Sequence, residues 1–353
     1  MPTRTASVAP PEAPHRPLVF AHRGASGYRP EHTTAAYQLA FELGADAVEP
    51  DLVVSQDGVL VIRHENDISQ TTDVASRREF RNRRTSKTVD GKRVTGWFTE
   101  DFTWDELSTL RAVERLKTIR SANRKYDGEF ALMRLSDVLT LIENCQQHVD
   151  RQLGIVIELK HPTYFADLGF DMVTLIQREL RLAGWDRRDS RMIFECFELG
   201  VLRDLQRRGI GSSHVFLAED HGSPADSGRG DTPHKRFSWY LSNRGLRFLA
   251  NTVNGISVRK SELIRRRWLR RPRVSSLVKR ARRYGLEVFA WTLRAENFFL
   301  EPDFSERRKI ARWGNWQGEF ALLMRSGIAA VFADQPDLAV AARNWECRRH
   351  GSL

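Results

Sequence analysis

Five polar segments follow or interrupt apolar runs in this chain: His22-Arg23, Glu49-Pro50-Asp51, His64, Glu158-Leu159-Lys160 and Trp291-Thr292-Leu293-Arg294. Glu49 and Asp51 are two apart, so on a strand both carboxylates point to one face. Buried together they repel, and each prefers to keep its proton. A hard divalent cation removes that conflict, and carboxylate oxygens are the ligands it accepts. Glu158 closes the apolar run Ile155-Val156-Ile157, where an unpaired charge is costly, and it adds a third carboxylate. His22 and His64 supply groups that take and give protons near neutral pH. Arg23 can fork onto two phosphate oxygens, and Lys160 can act as a point charge. A metal, two imidazoles and two cations around one point describe cleavage of a phosphodiester. One imidazole takes a proton from the nucleophile and the other gives one to the leaving oxygen.

The elements that must position these groups can be read from the hydrophobic pattern. Strands are predicted over 18–21, 47–54, 59–63, 153–159, 192–196, 255–258, 287–293 and 330–332. Helices are predicted over 33–43, 136–144, 170–183, 200–208, 274–284 and 318–326 by the 3.6-residue spacing of apolar positions. Asp220 to His234, rich in Gly, Ser and Asp, is predicted as a loop. Strands alternating with helices over most of the chain point to a parallel α/β sheet. No GxGxxG or Walker glycine pattern is present, so a nucleotide-binding doubly wound sheet loses weight. The expected fold is a (β/α)8 TIM barrel with active-site residues at the C-terminal strand ends. The turn at Ser55 to Gly58 is too short for a helical crossover. Either one barrel unit lacks its helix, or this is a local antiparallel excursion.

An N-terminal arm (1–16), a barrel domain (17–345) and a C-terminal tail (346–353) are expected. An insertion at about 66–133 follows the third predicted strand. That stretch is polar and basic, and Trp97, Phe98, Phe102 and Trp104 are its expected anchors, forming a packing cluster of its own.

The chain has 353 residues, 41% of them hydrophobic and 29% charged, which excludes a disordered or fibrous protein. No apolar run approaches a membrane-spanning helix, and the N-terminus lacks the apolar stretch of a secretion signal. Cytoplasmic residence is therefore expected, with an extracytoplasmic location as the alternative that the family resemblance below implies. Cys145, Cys196 and Cys347 make no CxxC pair and leave an odd thiol, against a disulfide framework or a structural zinc. The formal net charge is +11, and 47 of the 56 basic residues are arginine. Clusters at Arg81 to Arg84, Arg265 to Arg267 and Arg280 to Arg283 could attract an anionic partner. The arginines are spread along the chain, whereas a nucleic-acid patch would be concentrated and interleaved with aromatics. A solvated surface is the expectation, and no nucleic-acid partner.

Ala21 to Gly27 with Pro30-Glu31-His32-Thr33 resembles the opening motif of the glycerophosphodiester phosphodiesterases. The resemblance continues through Glu49-Pro50-Asp51, Ser55 to Gly58, His64, Glu158 to Tyr164, Trp291-Thr292 and Phe332 to Asp337. The insertion, with Lys87 to Gly91 and Thr95 to Phe102, is similar to that of the longer, periplasmic-type bacterial subgroup. The resemblance implies a barrel that hydrolyses small glycerophosphodiesters to sn-glycerol 3-phosphate and an alcohol. It implies His22 and His64 as the acid/base pair and one divalent ion, calcium rather than magnesium, on Glu49, Asp51 and Glu158. It also implies Arg23 and Lys160 on the phosphate and Trp291 against the glycerol end. Two positions depart from the family pattern. Glu65 stands where Asp usually follows the second histidine, and Cys196-Phe197-Glu198 replaces a Ser-Phe-Asp-like sequence. Other readings are a phospholipase D-like enzyme on intact lipids, reached through the insertion's aromatics, and a basic protein that binds nucleic acid or anionic surfaces.

Overall fold

The computed structural model describes residues 16–186, 191–211, 213–267, 270–306 and 308–349. Apolar, β-branched runs form the barrel staves. They are β1 (Leu18–His22), β2 (Ala47–Glu49) continued by β3 (Asp51–Val54), β7 (Gly154–Leu159), β8 (Met192–Cys196), β9 (Ser213–Ala218), β10 (Gly255–Arg259), β13 (Glu287–Leu293) and β14 (Ala330–Ala333). Counting β2 and β3 as one stave, these eight run parallel, and β7 closes the ring by pairing with both β2 and β3. Phe20, Val156, Val215, Phe289 and Phe332 fill the barrel interior, as alternate inward positions of a closed sheet must. Helices including Thr34–Glu42, Leu135–Gln146, Met172–Leu182, Leu199–Arg207 and Trp316–Met324 cover the outside.

The structure corrects the strand assignment in three places. The predicted strand 47–54 is interrupted at Pro50, which has no N–H to give a ladder; its carbonyl still accepts from the Glu158 amide at 3.0 Å. The segment 59–63 is not a stave. β4 (Leu60–Ile62) folds back antiparallel on β3, so the short turn is the local excursion. The missing stave is β9, a six-residue run outside the strands expected from the sequence.

The insertion does not pack by itself. It begins after β4 and carries an antiparallel hairpin, β5 (Thr85–Val89) and β6 (Lys92–Gly96). Trp97 and Phe102, with Phe80, Leu107 and Leu110, belong to the same continuous core as the barrel and its helices. Phe98 is also buried, and Trp104 is half-buried against that core. These rings are therefore not an apolar path to the mouth, and the phospholipase-like reading loses the feature that motivated it. Phe102→Ala is expected to cost about 3–5 kcal/mol, seen as a lower urea midpoint of one transition for the whole chain. A separate transition for the insertion would show that it is autonomous.

The expected tail beginning at 346 is instead the end of the helix Pro336–Arg349, with Glu346 and Cys347 buried. The expected N-terminal arm lies, apart from Arg16, outside the described residues. Among the described residues, no helix is long and apolar enough to cross a membrane. The basic clusters differ in setting. Arg83 pairs with Glu106 at 2.5 Å and lies over the Phe102 ring. Arg265 and Arg273 are exposed on a ribbon formed by β11 (Ile264–Arg267) and β12 (Arg270–Val274).

Candidate active site

β1 ends at His22, and the chain reverses through Arg23 (φ 60°) and Gly24 (φ 84°). Gly24 is required there twice. Its φ is left-handed, and a Cβ would come within 2.7 Å of the Ala36 backbone carbon. The turn delivers His22 and Arg23 to a cavity of about 540 Å³ at the C-terminal ends of the staves. His64, Glu158, Lys160, Glu195 and Trp291 line the same cavity. A cavity of about 660 Å³ outside the barrel, between the helices Thr34–Glu42 and Leu135–Gln146, lacks such a convergence of charged groups.

The two histidines are held alike. His22 Nδ1 lies 2.6 Å from Asp334 Oδ1, and His64 Nδ1 lies 3.1 Å from Glu65 Oε1. An ionised carboxylate can only accept, so each Nδ1 carries the proton and each Nε2 is left for a ligand. Burial, then the charge of Arg23, lowers His22 to about 3 and His64 to about 4. Both rings are therefore neutral near pH 7. Burial alone would raise Asp334, but Arg294 and Arg120 hold it well below the carboxylate range. Each donates to its Oδ2 at 2.6 Å.

The carboxylates gather differently from the sequence expectation. One oxygen each of Glu49, Glu158 and Glu195 lie within 4.8 Å of one another, all buried. Asp51 stands beside them, in register with Glu158 across β3 and β7, but its Oδ2 accepts from His32 Nε2 at 2.8 Å. Glu49 Oε1, Asp51 Oδ1 and Glu195 Oε2 are buried without a hydrogen-bond partner. Such atoms are costly unless something cationic meets them. Burial, then repulsion from Asp51, raises Glu49 well above its ordinary value, and Glu195 rises likewise through burial and Glu158. Glu158 is pushed up to about 8 by burial, against the attraction of Lys160. The donor set therefore fits a hard divalent cation.

The two cations reach the site with part of their capacity committed. Arg23 donates through Nη1 to Glu31 at 3.2 Å, and its Nε sits 3.3 Å from Asp51. Lys160 donates to Glu158 at 2.8 Å. Trp291 packs edge-on against Phe197, lies under the Arg259 guanidinium, and buries an unpartnered Nε1.

Sequence reasoning missed three groups. Glu195 sits among Met192-Ile193-Phe194, the same pattern of an acid in an apolar strand that marked Glu158. Asp334 lies within the Phe332 to Asp337 motif, which gives it no role by itself. His32 likewise stands in the opening motif, and it anchors Asp51. Cys196, at a position where the family pattern has Ser, is buried and its thiol is pushed well up, by burial first, so it is not a nucleophile.

Glu65 also accepts from His161 Nε2 at 3.0 Å, and His161 Nδ1 meets Asp90 at 2.5 Å. Burial opposes the His161 cation, but hydrogen bonds to Asp90 and Glu65 override it and raise the ring to about 9. A raised folded pKa contributes stability that is full below about 6.5, the ordinary value, and lost as pH rises through about 9. The stability difference between the parent and His161→Gln, measured by thermal unfolding, should therefore shrink from pH 6 to pH 10.

The profile of the glycerophosphoryl diester phosphodiesterase family matches residues 22–338. The chain belongs to that family. An Arabidopsis thaliana glycerophosphodiester phosphodiesterase is 29% identical over 332 residues, spanning 90% of this chain and 84% of the relative. One from Haemophilus influenzae is 25% identical over 344 residues, spanning 92% and 88%. Among solved structures, an Oleispira antarctica phosphodiesterase in complex with the product sn-glycerol-3-phosphate superposes with a TM-score of 0.60 at 18% identity, covering 93% of this chain and 97% of that one. A glycerophosphodiester phosphodiesterase from Agrobacterium tumefaciens gives 0.57 at 18% identity, covering 92% and 99%. The family resemblance and the barrel fold read from the sequence are both borne out.

Proposed function

We propose that this chain hydrolyses small glycerophosphodiesters to sn-glycerol 3-phosphate and an alcohol, using His22 and His64 as its proton-transfer pair. The observation that carries the reading is geometric. Two neutral imidazoles, each with Nδ1 tied to a carboxylate and Nε2 left free, face one cavity with Arg23, Lys160 and the buried acids. Arg23 and Lys160 bind the phosphate, and Trp291 packs against the glycerol end. The Nε2 of one imidazole accepts the proton of the nucleophile as the nucleophile's oxygen bonds to phosphorus. The bond from phosphorus to the alcohol oxygen breaks, and the other imidazole, which takes up a second proton at Nε2 when the anionic phosphodiester binds, gives that proton to the oxygen. Water supplies the atoms that balance the two products. One divalent ion would be held by Glu49, Glu158 and Glu195, with Asp51 Oδ1 alongside, and calcium is proposed over magnesium on the family resemblance. When bound, it supplies positive charge to a phosphate oxygen and to the nucleophile.

The test is release of sn-glycerol 3-phosphate from glycerophosphodiesters bearing choline, ethanolamine and glycerol headgroups, read by a coupled assay. Release from at least one is expected. Binding of the same compounds without release from any would refute the hydrolytic reading.

A further inference from the structure

His64 depends on a carboxylate that is poorly placed to hold it. Glu65 is long, has three rotatable side-chain bonds, and its side chain is 48% exposed. Left alone, such a group samples many rotamers and orients a neighbouring ring weakly. In this structure it is not alone. We propose that His161 and Asp90 form a clamp that fixes Glu65 and, through it, the ring of His64, making both positioning residues for the reaction proposed above. The proposal rests on that reading of His64.

The contacts form an unbroken series. Glu65 Oε1 meets His64 Nδ1 at 3.1 Å, and Glu65 Oε2 meets His161 Nε2 at 3.0 Å. His161 Nδ1 meets Asp90 at 2.5 Å. Both ring nitrogens of His161 face carboxylates, so both carry protons and the ring is a cation; its pKa near 9 agrees. The cation cancels one of the two acids that flank it. His64 therefore feels the field of about one carboxylate, as it would from a shorter acid held rigidly. His161 lines a neighbouring lobe and not the cavity of His22 and His64, so it acts through Glu65 and does not touch the reacting atoms.

The backbone shows where the clamp is built. Among the described residues, four that are not glycine have positive φ: Arg23, His32, Asp90 and His161. Two belong to the site, and the other two are the clamp. For Asp90 the conformation is cheap, since it sits in the Asp90-Gly91 turn of the insertion hairpin, where φ is 48° and then 76°. For His161 it carries a real penalty, sustained only where the surroundings demand it. The left-handed turn follows Lys160 directly and places the ring between Glu65 and Asp90. The insertion thereby acquires a role at the site, because its hairpin tip reaches back to His161. Lys87, on the same hairpin, pairs with Glu100 at 2.9 Å, and Tyr164 donates to that Glu100 at 2.5 Å. Tip and turn are thus fastened to each other.

Partners of this kind typically change activity about 10–100-fold when removed. His161→Ala is expected to lower kcat about tenfold, with KM moved less than about twofold. Asp90→Asn keeps the turn, because Asn also tolerates left-handed φ, and should give a smaller loss in the same direction. Neither change should lower the residual activity of His64→Ala further, because the clamp acts only through that ring. Nitrogen-15 spectra of the His64 ring should show the Nδ1–H tautomer in the parent protein and a mixture in His161→Ala. An inactive His64→Ala together with unchanged kcat and an unchanged His64 spectrum in both clamp variants would overturn the clamp alone. A fully active His64→Ala would overturn the catalytic reading of His64, and this role with it. Circular dichroism of each variant establishes that it is folded, and Asp90→Asn carries the test if His161→Ala is not.

Discussion

His22→Ala and His64→Ala are each expected to lower turnover of a glycerophosphodiester by at least about 100-fold, since a general acid or base typically contributes ~10²–10⁴. The double variant should be little worse than the poorer single one, because groups that act as a unit are not additive. The structure adds a direction for pH. Burial and then Arg23 lower both imidazoles, to about 3 and about 4. The acidic limb of kcat/KM, where the base becomes protonated, should therefore lie below the ordinary histidine value of 6.5. The phosphodiester brings a negative charge against Arg23 and Lys160, which raises the acid in the complex and keeps a bell-shaped kcat profile. A substrate with a strongly acidic leaving alcohol needs little protonation, so it should rescue the variant that has lost the acid and not the other. That rescue assigns the two roles. If either single variant keeps most of its activity on natural diesters, that histidine is structural.

Chelation is expected to abolish turnover, and restoring the divalent ion to recover it. In the absence of a cation, burial and mutual repulsion leave Glu49, Glu158 and Glu195 with raised pKa values, Glu158 at about 8. A cation entering the site must displace the protons these groups hold. Ion affinity should accordingly fall as pH is lowered below about 8, with protons released on binding, both measurable by titration calorimetry in buffers of different ionisation enthalpy. Glu195→Gln and Asp51→Asn keep shape and remove one charge each. Both should weaken ion binding while circular dichroism stays unchanged, and the Glu195 variant tests a ligand that the sequence motifs did not single out. Full activity after exhaustive chelation would refute the dependence on a metal.

The sequence by itself determined the class of fold and named many of the charged and titratable residues that line the cavity. Alternating apolar runs and amphipathic helices specify a parallel barrel, because each stave is buried on both faces and reads as a continuous hydrophobic stretch. His22, Glu49, Asp51, His64, Glu158 and Lys160 were legible for the complementary reason. A charged or titratable residue ending or interrupting such a stretch is expensive to bury, and the convergence of several on one cavity is what separates them from a single paired core residue.

Only the tertiary structure decided how those groups are shared. Periodicity along one strand cannot show what the next strand offers, and Glu195 enters the acidic group because β8 lies beside β7. Likewise, Asp51 gives one oxygen to His32, nineteen residues earlier in the chain, a partner that spacing on β3 does not reveal. Pro50 and the β3–β4 turn were visible as residues. Their effect, breaking one stave and removing 59–63 from the barrel, depended on which hydrogen bonds neighbouring strands could supply. The insertion shows the same limit. Its aromatics looked able to pack with one another, but burying them against the barrel removes more apolar surface from water. That packing carries Asp90 to His161, and no local pattern announces a contact spanning 71 residues.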